Sequence, residues 1–199
     1  SKQAARMVLT DDNFGTLVHA VELGRSIYGK VVAYIRYQMT QLLSLVLLFV
    51  TATLFDVNSG VAMTPLMVLF LNFFVAIFPV VVIMLDPADP AIMDRPPRDP
   101  KVPVTNGPAV ARWLAYGTVL FLSALVPLVL GPDEPSTDAA SASMTMCYVV
   151  VGLGTILSGV VMRRDPTSGL TAPILTAVKW SAIPAGLLIL STELDFLQN

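Results

Sequence analysis

"MTPLMVLFLNFFVAIFPVVVIMLDPADPAIMDRPPR", residues 63–98, is apolar up to Leu85 except for Thr64 and Asn72, then turns abruptly into prolines, aspartates and arginines. A run of that length matches the ~20 residues a helix needs to cross a bilayer. Four further apolar windows, at 38–55, 113–131, 143–162 and 172–191, have the same character. The chain as a whole is 55% hydrophobic and only 13% charged, with a mean hydropathy of +0.73, which excludes an ordinary soluble core. The expected fold is all-α: an integral membrane bundle of five transmembrane helices.

The charges are unevenly distributed. Arg25, Lys30 and Arg36 precede the first span, Arg95, Arg98, Lys101 and Arg112 separate the second from the third, and Arg163 and Arg164 separate the fourth from the fifth. The intervening turns "FDVNSG" and "GPDEPSTDAASAS" and the end "STELDFLQN" contain no Lys or Arg. Basic loops mark the cytoplasmic side, so the pattern predicts a cytoplasmic N-terminus and an external C-terminus. Some thirty-five residues precede the first span and no small-residue cleavage site follows it, so a secretory signal is not expected. Cys147 is the single cysteine, so no disulfide enters the fold. An odd number of crossings and an uncapped "FLQN" lead us to expect a sixth span downstream, and a start just as abrupt fits a piece of a longer polypeptide.

From Phe14 to about Ile35, Leu17, Val21, Leu23, Ile27, Val31, Val32 and Ile35 recur at helical spacing, with Glu22, Arg25 and Lys30 on other faces. Asp11, Asp12 and Asn13 are good N-cap residues for this stretch. No proline separates it from the apolar span after Tyr37, so one helix is expected to rise from the cytosol into the bilayer. At 1.5 Å per residue, about forty residues make a rod near 60 Å long.

"MVLTDDNFGTLVHAVELGRSIYGKVVAYIRY", residues 7–37, resembles the segment "DDNFxxIVxAVxEGRxIYxNxxxxIRY" that joins the phosphorylation domain of P-type cation-transporting ATPases, of the calcium-pump type, to their fifth transmembrane helix. The later "DPADPAIMDRPPRDP", residues 86–100, is similar to that family's "DPPDxDIMxRPPRxP" after the sixth helix. The likeness covers residues 5–110 in motifs, and beyond 111 rests on helix number and loop polarity. It implies that residues 1–13 are a remnant of the end of a phosphorylation domain and 14–37 a cytosolic stalk helix. Residues 38–85 would be transmembrane helices five and six, 86–112 a cytosolic Pro/Arg-rich coupling loop, and 113–199 helices seven to nine. ATP and Mg would bind upstream, in the parent protein, through the DKTGT and TGDGVNDAP motifs. This chain has neither motif, and no cofactor is expected in it.

Carried over residue by residue, the family's helix-five Asn and Glu ligands fall on Leu42 and Leu45. Of the helix-six pattern "NxxTD", Asn72 is kept, but the Thr and Asp positions are Val75 and Ala76. Hard divalent cations need oxygen ligands, preferably carboxylates, and no Asp or Glu occurs inside any of the five spans. What remains polar is Gln38, Thr40, Gln41 and Ser44 on the first span, Asn72 on the second, Ser123 on the third, Thr155 and Ser158 on the fourth and Lys179 on the fifth. Asn72 cannot bond to lipid and is expected to face Gln41 or Ser44. These three are the transport-pathway candidates, against a bland reading as helix-to-helix glue.

Pro79 should kink or loosen its helix. In the coupling loop Asp89, Arg95 and Arg98 are the residues to test, against a solvated connector with no partner. His19 fits a packed or surface histidine rather than a ligand, and Met144, Met146 and Cys147 fit adaptable packing, so no metal site is expected. Lys179 with Trp180, and Trp113, fit interfacial anchoring.

Taken together, the expected function is the transmembrane transport-domain part of an ATP-driven P-type pump that moves a cation or other substrate across a membrane of bacterial plasma-membrane type. Its partners would be the lipid bilayer and the upstream domains of the same polypeptide, with no nucleic acid. The alternative is a non-transporting membrane scaffold or regulatory subunit derived from the pump fold. A secondary transporter would need an internal repeat or discontinuous polar helices, and the sequence offers neither convincingly.

Overall fold

Asn13 opens the first helix: its side chain accepts a hydrogen bond from the Gly15 amide at 2.9 Å, satisfying one of the donors that every helix start leaves without an intrahelical partner. Beyond it α1 (Phe14–Leu54) continues for 41 residues without a break, roughly 60 Å of rod. The structure, a computed structural model, describes residues 13–99, 101–132, 141–163 and 174–193. Residues 1–12 of the expected phosphorylation-domain remnant, with Asp11 and Asp12, lie outside that set, as do Arg164 and the end from 194 onward.

After α1 come α2 (Pro65–Phe70), a π-helical turn (Leu71–Val75), α3 (Ile77–Leu85), α4 (Gly107–Leu130), α5 (Ala142–Met162) and α6 (Ile174–Thr192). Short polar residues cap three of these starts. Thr64 accepts from the Met67 amide, Asn106 from Ala109 and Ser141 from Met144. Pro65 and Pro108 occupy first-turn positions, where a missing N–H costs nothing. Counting Pro65–Leu85 as one span, five helical segments are long and apolar enough to cross a membrane. Among the described residues there is no strand, and the chain is an all-α, helical membrane bundle.

The two halves of α1 differ in burial. Up to Val32 its residues are exposed or half-buried; from there Ala33, Arg36, Tyr37, Thr40, Gln41, Ser44, Leu48 and Ala52 form one buried seam at three- and four-residue spacing. α5 is the hub, packing against α1, α3, α4 and α6. At Gly159 it passes so close to the broken second span that a Cβ there would stand 2.9 Å from the Cα of Pro79. Trp113, expected at the lipid interface, is instead buried among protein atoms.

Two apolar clusters make up the core. The larger gathers Leu48, Val75, Val151, Ile156 and their neighbours, and the smaller gathers Ala33, Tyr37, Ile83 and Met162. Between them in chain order lie Thr40, Gln41 and Ser44 on α1, Pro79 on α3 and Gly159 on α5, with Thr155 one residue before Ile156 at the edge of the larger cluster. A polar layer thus interrupts the hydrocarbon core where three spans meet.

Candidate functional site

That layer is built from groups whose hydrogen-bonding capacity is not used up. Elsewhere, helical hydroxyls turn back on their own backbone: Ser123 donates to the Val119 carbonyl, Thr145 to Ser141 and Ser181 to Ala177. Thr40 and Ser44, one turn apart on the same face of α1, do not. Thr40 Oγ1, Gln41 Nε2 and Ser44 Oγ are all buried and have no hydrogen-bond partner among the described residues. Each such group costs about 1–3 kcal/mol if nothing meets it, so three within five residues of one helix require an explanation.

Gln41 has one neighbour. The Thr155 hydroxyl lies 2.8 Å from Gln41 Oε1 and 2.8 Å from the Val151 carbonyl, yet a hydroxyl has a single proton to give. With the amide turned end for end, Gln41 donates to Thr155 while Thr155 donates to Val151. The amide oxygen is then the unsatisfied end, so the layer can present three side-chain oxygens, from Thr40, Gln41 and Ser44.

The second span is broken at the same level. In the π turn, the Ala76 amide donates to the Leu71 carbonyl, five residues back, at 2.7 Å. Three residues later Pro79 supplies no N–H to the Val75 carbonyl four residues before it. Tyr37, fully buried on α1, donates its hydroxyl to the Ala76 carbonyl at 3.3 Å. π turns recur at functional sites because they free or redirect backbone groups within a helix. Here one lies beside the polar layer.

The structure separates the sequence candidates. Gln41 and Ser44 are in the layer. Asn72 is not: its side chain is exposed, and its amide donates to the Val68 carbonyl of its own helix at 2.9 Å. The expected Asn72 pairing with Gln41 or Ser44 is therefore wrong. The π turn changes the helical register, and Asn72 satisfies itself locally. Of the positions matching the family's lost ligands, Leu42 is exposed, Leu45 packs against the larger core cluster, Val75 is fully buried and Ala76 is half-buried. Thr40 and Thr155 completed the layer without being singled out in sequence. Their polarity was visible, but their mutual facing was not. No group of three or more His, Cys, Asp or Glu able to hold a metal occurs among the described residues.

The loop after α3 has the opposite character. Arg25 on α1 donates to the carbonyls of Ile92 and Arg95, at 3.0 and 2.9 Å, and Lys30 donates to Met84 at 2.7 Å. Arg95 pairs with Asp89, whose other oxygen accepts from the Ala91 amide. Arg98 donates to the Val102 carbonyl and lies over the Tyr28 ring, 4.6 Å from its centroid. Asp86, the first residue past α3, meets Arg163, the first past α5, at 3.3 Å, with side chains 8% and 4% exposed. The Asp86–Arg163 pair was not anticipated. It joins residues 77 apart in sequence and leaves no local signal.

Five apolar spans, a long first helix tied to the loop after the second, and a break in that second span form one arrangement. The family model described as "Cation transporting ATPase, C-terminus" matches residues 60–196, more than half of the chain. The chain therefore belongs to that family, as a transmembrane portion of a cation-transporting P-type ATPase.

Proposed function

We propose that this region is the transport-domain part, helices five to nine, of a calcium-pump-like ATPase of a bacterial plasma membrane, with its N-terminus cytoplasmic. An upstream phosphorylation domain of the same polypeptide would use ATP and Mg. One observation carries this reading: three buried, unsatisfied polar groups on α1 lie at the level of a broken second span. Neutral oxygens suit a cargo that sheds its hydration shell cheaply. Without a carboxylate they would hold a hard divalent ion weakly, so the cargo of this half is a cation of low charge. Arg25, Lys30, Asp89, Arg95 and Arg98 would transmit movement of the cytosolic domains to α1 and the second span.

The test is cation uptake into vesicles by the ATPase that carries this region, comparing wild type with Gln41→Leu, Ser44→Ala and Thr40→Val. Each substitution should lower flux at least about tenfold, the effect of losing roughly 1.4 kcal/mol of binding, while protein level and melting temperature hold. Undiminished flux in all three would favour the alternative, a membrane scaffold that kept the pump's helices.

A further inference from the structure

At the charged end of the bundle a cavity of about 590 Å³ opens between the stalk half of α1 and the loop after α3, a size typical of small-molecule sites. Six basic side chains line it: Arg25, Lys30, Arg36, Arg95, Arg98 and Arg163. The lining holds six such cations against two carboxylates, Asp86 and Asp89, which meet Arg163 and Arg95. The hydrogen bonds of Arg25, Lys30 and Arg98 go to main-chain carbonyls, which orient the cations without cancelling their charge. The cavity is therefore strongly electropositive, and guanidinium forks suit the tetrahedral oxygens of a phosphate.

Its depth narrows the source of that phosphate. Asp86 and Arg163, which line it, directly follow the last residues of the second span and of α5. Both also line a small neighbouring cavity with Leu85 and with Trp180, in the second turn of α6, and tryptophans near the ends of spans mark the interfacial level. Ile92, Pro87 and Pro96 add an apolar wall beside the charges. Basic pockets at this depth, on the side where basic loops collect, attract anionic lipids.

We propose that this cleft binds the phosphate of an anionic phospholipid drawn from the adjoining leaflet, clamping the loop to the stalk. The test places the chain in nanodiscs containing spin-labelled phosphatidylglycerol or spin-labelled phosphatidylcholine and measures the motionally restricted fraction of each. Phosphatidylglycerol should be preferred, and Lys30→Gln and Arg98→Gln should each reduce that preference about fivefold, as expected for one basic charge near a membrane surface. Asp89→Asn removes a negative charge and should raise it, a direction that damage to the fold does not mimic. Soluble glycerol 3-phosphate and inorganic phosphate should not displace the lipid. Equal retention of the two lipids, or a preference unmoved by all three substitutions, would overturn the proposal. Displacement by the soluble phosphates would overturn it too, assigning the cleft to a free anion.

Discussion

The polar layer inside the bundle and the charged junction at its end are joined by the same helix, yet they handle polarity in opposite ways. At the junction, full charges are tied down: Arg25 holds two carbonyls of the loop, Arg95 holds Asp89, and Arg163 holds Asp86. The layer itself carries no charged side chain, and Thr40, Gln41 and Ser44 keep unspent hydrogen-bonding groups. The contrast follows from dielectric. An ion is affordable at the water boundary and costly in hydrocarbon, whereas a neutral hydroxyl can be buried unsatisfied for a kilocalorie or two. The junction is thus built to hold one geometry, and the layer is built to accept something. About sixteen residues of unbroken helix, some 24 Å, separate Arg25 from Gln41, so a push at one end reaches the other.

The largest effect should come from breaking the most buried part of the junction. Asp86→Asn removes the carboxylate that meets the buried Arg163 guanidinium at 3.3 Å, and removing one partner of such a pair costs about 3–5 kcal/mol. Thermal unfolding of the chain in detergent should register this. The double substitution Asp86→Leu with Arg163→Met should be less damaging than the sum of the singles. If Asp86→Asn behaves like an ordinary surface change, the junction is no more rigid than the interior, and the comparison fails.

The next effect concerns how tightly the layer is enclosed. Gly159→Ala drives a methyl group toward the Pro79 backbone, and overpacking of this kind costs about 1–3 kcal/mol. The same change at Gly24, on the exposed first half of α1 with nothing within 4 Å, should stabilise by about 0.5–1 kcal/mol through helix propensity alone. Opposite shifts in melting temperature for the two substitutions would sharpen the division between a closely packed bundle interior and the open first half of α1. Like shifts would erase it.

How much of this was legible depends on the range of the signal. Five spans followed from hydropathy, and the continuity of α1 from the absence of a breaker between Phe14 and Leu54. The Asn13 cap was readable because capping is local. Arg95 and Arg98 stood out as charges in a stiff loop, although their partners were not legible. What failed was orientation. The face taken by Asn72 depends on a π turn that no residue in "LNFFV" announces, and one extra residue in a helical turn swings a side chain by roughly 100°. The facing of Thr155 on Gln41, 114 positions apart, and of Asp86 on Arg163 belongs to tertiary packing, which periodicity does not encode.

Asn72 supplies the smallest expected effect and the most pointed one. It matches the one ligand-type residue that the family pattern retains, yet its amide is spent on the Val68 carbonyl and its side chain lies on the exposed face of the bundle. Removing it leaves one backbone carbonyl that still has its helical partner, so Asn72→Ala should change stability by less than about 0.5 kcal/mol. Cation flux by the ATPase carrying this region should stay within about twofold of wild type, while Gln41→Leu falls well below it. The pair of variants compares the two faces directly. A collapse of flux in Asn72→Ala, with melting temperature unchanged, would move the pathway to the outer face of the second span and leave the buried oxygens of α1 as helix-to-helix glue.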